Sequence, residues 1–140
     1  MIVLDTSYVS LFQYPEDARA NSLRERLLAS PDRDIVTTAI TIEEQMRGWL
    51  SAIHGQPDVT RQVTYYERLV GLFRFFADWR ILPFDDLAAS QFQSLRAQRV
   101  RIATMDLKIA SIVLVHEALL LSSNLRDFER VPDLRVEDWI

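Results

Sequence analysis

Apolar positions come first in an unbroken run, Ile2-Val3-Leu4, which predicts a short buried strand, and Asp5-Thr6-Ser7 after it supplies side-chain oxygens suited to a helix N-cap. Pro15-Glu16-Asp17 places proline and acids at a helix start, and Ala18 to Ala29 continues that helix with Arg24, Glu25 and Arg26 outward. Asp34 to Ile40 is β-branched and apolar, a second strand, and Thr41-Ile42-Glu43-Glu44 has the spacing of a capping box for the next helix. From Val59 onward Val63, Tyr66, Val70, Phe73 and Ala77 recur in steps of four and three. They mark one face of a long helix, which Leu69, Leu72, Phe76 and Trp79 widen. Arg80 to Phe84 reads as extended, and Asp85 or Asp86 can cap a helix with Ala88, Phe92 and Leu95 on one face, ending near Arg99. Thr104 can cap a helix from Met105 to Glu117 that is apolar on most sides, Leu119 to Ser122 is the next strand, and Leu134 to Val136 is a short edge strand.

Strands and helices that alternate throughout predict an α/β fold, a central parallel sheet of four to five strands flanked by helices with right-handed connections. The 140 residues contain no linker or repeat, so residues 1–140 form one domain. The apolar runs are too short for a membrane span, and Met1-Ile2-Val3-Leu4-Asp5 lacks the basic start of a signal peptide, so a cytoplasmic protein is expected. The absence of cysteine excludes disulfides, thiolate metal sites and thiol nucleophiles, and two histidines, His54 and His116, leave no basis for a catalytic zinc site or a serine triad. A net charge of -4 gives no general attraction to polyanions. Lys108 is the one lysine among 16 basic side chains, and the arginine forks suit phosphate and carboxylate.

In open parallel sheets, reactive groups gather beyond the carboxyl ends of the strands. The polar residues at such ends are Asp5, Glu44, Asp106, and Asn124 with Asp127. Separate segments that deliver carboxylates to one place repel one another unless a proton or a cation intervenes, and hard divalent cations such as Mg²⁺ and Mn²⁺ want oxygen ligands. Each residue also has a structural reading: Asp5 as a cap, Glu44 as the far half of the capping box, Asp106 as a partner of the helix dipole, and Asp127 as an ordinary loop acid. Tyr65, Tyr66, Phe73, Phe75, Phe76 and Trp79 have the spacing of core packing or a partner interface rather than of base stacking.

Val3-Leu4-Asp5-Thr6-Ser7, Ala39 to Gly48, Asp106-Leu107-Lys108-Ile109-Ala110, Ser122 to Phe128 and Leu134 to Trp139 together resemble a PIN domain, and more specifically a VapC-type toxin of toxin–antitoxin pairs. The resemblance selects Glu44 over Glu43, because Gly48 follows Glu44 by four positions, and it aligns Asp5 and Asp106 with the family's two principal metal-binding acids. Asn124 falls at the fourth acidic position, with Asp127 able to take part of that role, and the family's usual threonine is Ser122 here. The implied activity is that of a Mg²⁺- or Mn²⁺-dependent endoribonuclease, held inactive by a cognate antitoxin and homodimeric. Asp5 and Asp106 would hold the cation, Glu44 would shape its water, and Asn124 with Thr6 or Ser7 would orient water or phosphate. Arg47, Arg99 and Arg101 are candidates for RNA contact, and the apolar helices near the start and at Val59 to Trp79 are the expected sites of the antitoxin groove and the homodimer contact. The alternatives are a non-catalytic PIN-like module that binds RNA or protein, and a haloacid-dehalogenase-like phosphatase. The phosphatase motif requires a second aspartate where this chain has Ser7.

Overall fold

A computed structural model describes every residue from Met1 to Ile140. Five parallel strands, β1 (Ile2–Leu4), β2 (Ile35–Thr38), β3 (Ile81–Leu82), β4 (Leu119–Leu121) and β5 (Arg135–Glu137), lie in the order β3-β2-β1-β4-β5. The connecting helices are α1 (Thr6–Gln13), α2 (Ala18–Ala29), α3 (Ala39–Gly55), α4 (Val59–Phe76), α5 (Asp86–Ala97), α6 (Thr104–Val115) and α7 (Leu125–Phe128). β1 is central and fully buried, as its unbroken apolar run demands. The chain winds outward from β1 through β2 to β3 and then returns to the other side of β1 with β4, so the winding reverses between β1 and β4. The crevice at such a reversal is where open α/β sheets bind ligands.

One core cluster fills the α5–α6 side of the sheet around Val3, Val36, Leu120, Phe92, Leu95 and Ile112, and a second fills the α1–α2 side around Leu4, Tyr8, Leu23, Phe76 and Leu121. α6 is buried along Leu107 and from Ile109 to Val113, in keeping with its mostly apolar surface. The C-terminal tail closes over α1: the buried Tyr8 hydroxyl donates to Asp138 and accepts from the Trp139 N–H at 2.6 Å, while Arg26 stacks over the Trp139 ring. No helix is long and apolar enough to cross a membrane.

Three local readings are corrected. α3 begins at Ala39, and Thr38, not Thr41, is its N-cap, its hydroxyl accepting from the Thr41 N–H at 3.3 Å. Parallel pairing with β3 holds Thr38 extended, so the cap falls where the strand stops, and Thr41 lies inside the helix. Thr104 is likewise the first residue of α6 rather than its cap; Ala103 holds the cap position without a side-chain acceptor. The edge strand lies one residue later than expected, at Arg135–Glu137, because β4 sets its register through Leu119–Arg135, Leu120–Val136 and Leu121–Glu137.

The face of α4 read from the four-and-three spacing points outward. Val59, Val63, Tyr66, Val70 and Phe73 are 48–74% exposed, while Leu72 and Phe76 turn inward. Of the two uses that spacing allowed, packing falls to the widening residues and a free apolar seam to the others.

Candidate active site

Asp5 follows β1 at the N-cap of α1, yet makes no side-chain cap hydrogen bond. Its carboxylate instead accepts the hydroxyl of Ser122, which is fully buried at the end of β4. Ser122 also accepts the Asn124 N–H at 3.0 Å, so one hydroxyl ties the end of β1 to the turn after β4. The Asn124 side-chain amide donates to both Asp106 and Asp127 at 3.2 Å. The alternatives for the fourth acidic position thus belong to one arrangement, with Asn124 as the bridge and Asp127 behind it.

Glu44 comes from the sixth residue of α3. Removal of the capping box removes its structural role, and its Oε1 is buried with no hydrogen-bond partner. Buried polar atoms are nearly always paired, and an orphan of this kind calls for a missing partner such as an ion or water. Glu43, one position earlier, pairs with Arg47 at 3.0 Å at the surface. Thr6 donates to Thr41 at 3.3 Å, and Gln13 donates to Gln45 at 2.7 Å, so α1 and α3 are fastened side by side with Asp5 and Glu44 facing a common space. Ser7 is exposed in the first turn of α1 with no side-chain hydrogen bond.

The electrostatics agree with convergence. Burial raises the Asp5 carboxyl above the ordinary aspartate range, against the Ser122 hydroxyl and the nearby backbone N–H groups of Thr6 and Ser7, which lower it. Burial and then repulsion from Asp5 and Asp106 raise Glu44 to about 7, against the nearby Thr6 hydroxyl, which lowers it and leaves Oε1 without a partner. Asp106 is raised by burial first, then by Asp5 and Asp127. Three acids that hold one another's protons in this way form a site of concentrated negative charge. No group of three or more acid or histidine side chains closes around an ion. A cation that keeps most of its own waters needs only one or two direct carboxylates, and the oxygen-only donor set fits Mg²⁺ or Mn²⁺.

Sequence reasoning placed Asp5, Glu44, Asp106, Asn124 and Asp127 at this crevice, and the structure brings all five there. It did not assign Ser122 a role; its signal was a hydroxyl two residues before Asn124 at a strand end, the spacing at which serine accepts the i+2 N–H. His54 is exposed, and His116 caps the C-terminus of α6, at the opposite end of that helix from Asp106.

No protein-family model matches the chain. It is 33% identical over 69 residues to the tRNA(fMet)-specific endonuclease VapC of Salmonella typhimurium, a match that covers 46% of this chain and about half (52%) of that relative. Among solved structures, DNA-bound VapBC from Salmonella typhimurium superposes with a TM-score of 0.72 at 22% identity, covering 99% of this chain and 98% of that one. FitAcB from Neisseria gonorrhoeae gives 0.69 at 25% identity, covering 99% and 97%. A five-stranded parallel sheet matched over nearly the whole of both chains gives this chain the fold of those VapBC and FitAcB chains, the α/β architecture that the PIN-domain resemblance implied.

Proposed function

We propose that the chain is a divalent-cation-dependent endoribonuclease and the toxin of a type II toxin–antitoxin pair. The observation that carries this reading is the meeting of Asp5, Glu44 and Asp106 from three separate segments at one crevice, with the Glu44 Oε1 buried and unpaired. The sequence likeness to a tRNA-specific endonuclease supports RNA as the substrate class.

Asp5 and Asp106 are the residues to hold Mg²⁺ or Mn²⁺, which when bound supplies Lewis acidity toward a phosphodiester and makes water a better nucleophile at neutral pH. The chain's own groups do the positioning. Ser122 fixes the Asp5 carboxylate, and Asn124 fixes that of Asp106. Glu44, buried beside both acids, is placed to orient water at the cation. Thr6 and the exposed Ser7, in the first turn of α1, present hydroxyls and helix N–H groups for water or phosphate oxygens.

The partner reading rests on α4. Its exposed seam from Val59 to Phe73 borders an all-apolar cleft of about 200 Å³ between Ile42, Met46, Leu72, Phe73, Phe76 and Ile81. An amphipathic segment of an antitoxin laid in such a cleft covers the seam, and a homodimer contact is assigned to the apolar helices as well.

Cleavage of total and transfer RNA by antitoxin-free protein with Mg²⁺ or Mn²⁺ tests the nuclease. Cation-dependent cutting that stops with EDTA and falls by at least about a hundredfold in Asp106→Asn is the expected result. Cutting equal in both proteins contradicts it, and RNA binding without cutting transfers the reading to a non-catalytic binding module.

A further inference from the structure

The crevice acids explain chemistry but not affinity, since they repel RNA and the chain as a whole is negative. The cationic side chains are unevenly used. Arg19, Arg47, Arg61 and Arg80 are spent on Asp17, Glu43, Asp58 and Asp34. The turn between α5 and α6 differs: Arg96, Arg99 and Arg101 are exposed, pair with no carboxylate, and line one cleft of about 400 Å³ together with Thr104. The guanidinium of Arg96 lies over the Phe92 ring at 4.8 Å, and the guanidinium of Arg130 donates to the Arg101 carbonyl at 3.3 Å, adding a fourth cation at the rim.

The cleft is built. α5 ends in a turn in which the Val100 N–H reaches back to the Leu95 carbonyl at 3.1 Å and Arg99 adopts a positive φ of 62°. That position favours glycine, and here it carries an arginine. Across the cleft α6 starts without a side-chain cap, so its first N–H groups add positive potential. The same first turn carries Asp106, which lies two residues past Thr104. The cleft and the carboxylate crevice therefore share the N-terminal end of α6, the placement from which an RNA strand at the carboxylates would run on to the arginines.

We infer that the α5–α6 cleft of Arg96, Arg99 and Arg101 is a phosphate-binding subsite that holds single-stranded RNA beside the carboxylate crevice. The inference rests on the ribonuclease reading and names how that site grips its substrate. Guanidinium forks match phosphate oxygens two at a time, and each phosphate neutralised on a single strand adds about 0.7 to the slope of log affinity against log salt.

The test is fluorescence anisotropy of a labelled single-stranded RNA with the full chain in EDTA, where no cutting is expected, between about 50 and 200 mM salt. The variants are Arg96→Ala/Arg99→Gly/Arg101→Ala, the single Arg99→Gly, and Arg68→Ala on α4 as a control. The triple variant is expected to lose at least about tenfold in affinity and about 2 in salt slope, with Arg68→Ala unchanged. Arg99→Gly is expected to weaken binding while its Tm equals or exceeds that of the parent, because glycine relieves the positive φ; a structural role alone would not separate the two. Unchanged affinity and slope in the triple variant overturn the subsite, as does preference for duplex DNA over RNA or failure of the parent to bind RNA. Cleavage read in parallel with cation keeps the two proposals distinct: cutting with triple-variant affinity unchanged removes the subsite alone, and arginine-dependent binding without cutting removes the nuclease alone.

Discussion

Glu43 and Glu44 are neighbours in α3 with different surroundings: one is neutralised by Arg47 at the surface, and the other is buried against Asp5 and Asp106. The acidic character of both was plain in the sequence. Their difference was not, because it depends on which side of the helix faces α1, and the apparent capping box pointed Glu44 toward a structural role. Spacing to Gly48, through family resemblance, selects the glutamate that lies beside Asp5 and Asp106, although a side chain at position 48 would meet nothing within 4 Å.

The raised Glu44 carboxyl has a consequence for stability. Its folded pKa of about 7 exceeds its unfolded value of 4.5, so the unfolded chain releases its proton first, and stability is lost as pH rises from about 4.5 to about 7. Asp5 and Asp106, also raised, act in the same direction. In EDTA, the Tm of the parent is expected to fall between about pH 5 and pH 7.5, and Glu44→Gln is expected to remove part of that fall. Because Glu44 is only half-buried, the recovered stability is on the order of 1 kcal/mol, a few degrees. Thermal melts at the two pH values decide; a parent more stable at pH 7.5, or a variant with an undiminished fall, contradicts the assignment.

At the scale of elements, existence and type were legible for all but the single-turn α7, where Asp127 had the look of a loop acid, whereas caps and ends were not. Local side-chain chemistry nominated Thr41 and Thr104, but sheet pairing fixed where β2 stops and the loop before α6 fixed where that helix begins. For α4 the spacing of apolar residues identified a seam without saying what it faces, since a core face and a partner face have the same period. Substituting Val63→Asp and Phe73→Asp together is expected to weaken capture of a cognate antitoxin by at least about a hundredfold and to leave the Tm within a few degrees, because both residues are exposed. A pull-down with co-expressed antitoxin, read beside thermal melts, checks this; full capture by the double variant places the partner elsewhere.

Across the whole molecule the winding of the sheet does the assembling. Alternating strands and helices predicted a parallel sheet, but the order β3-β2-β1-β4-β5, and with it the meeting of Asp5 with Ser122, Asn124 and Asp106, is a tertiary fact. Residues 117 positions apart, Asp5 and Ser122, become bonded neighbours because β1 and β4 pair in register from Ile2–Leu119 to Leu4–Leu121. The central claim is that this meeting point holds a divalent cation. Calorimetric titration of Mn²⁺ into the full chain near neutral pH tests it most directly. Saturable binding by the parent, weakened at least about tenfold in folded Asp5→Asn and Asp106→Asn proteins, is the result predicted. Equal Mn²⁺ affinity in parent and variants, or no binding by the parent, would contradict it.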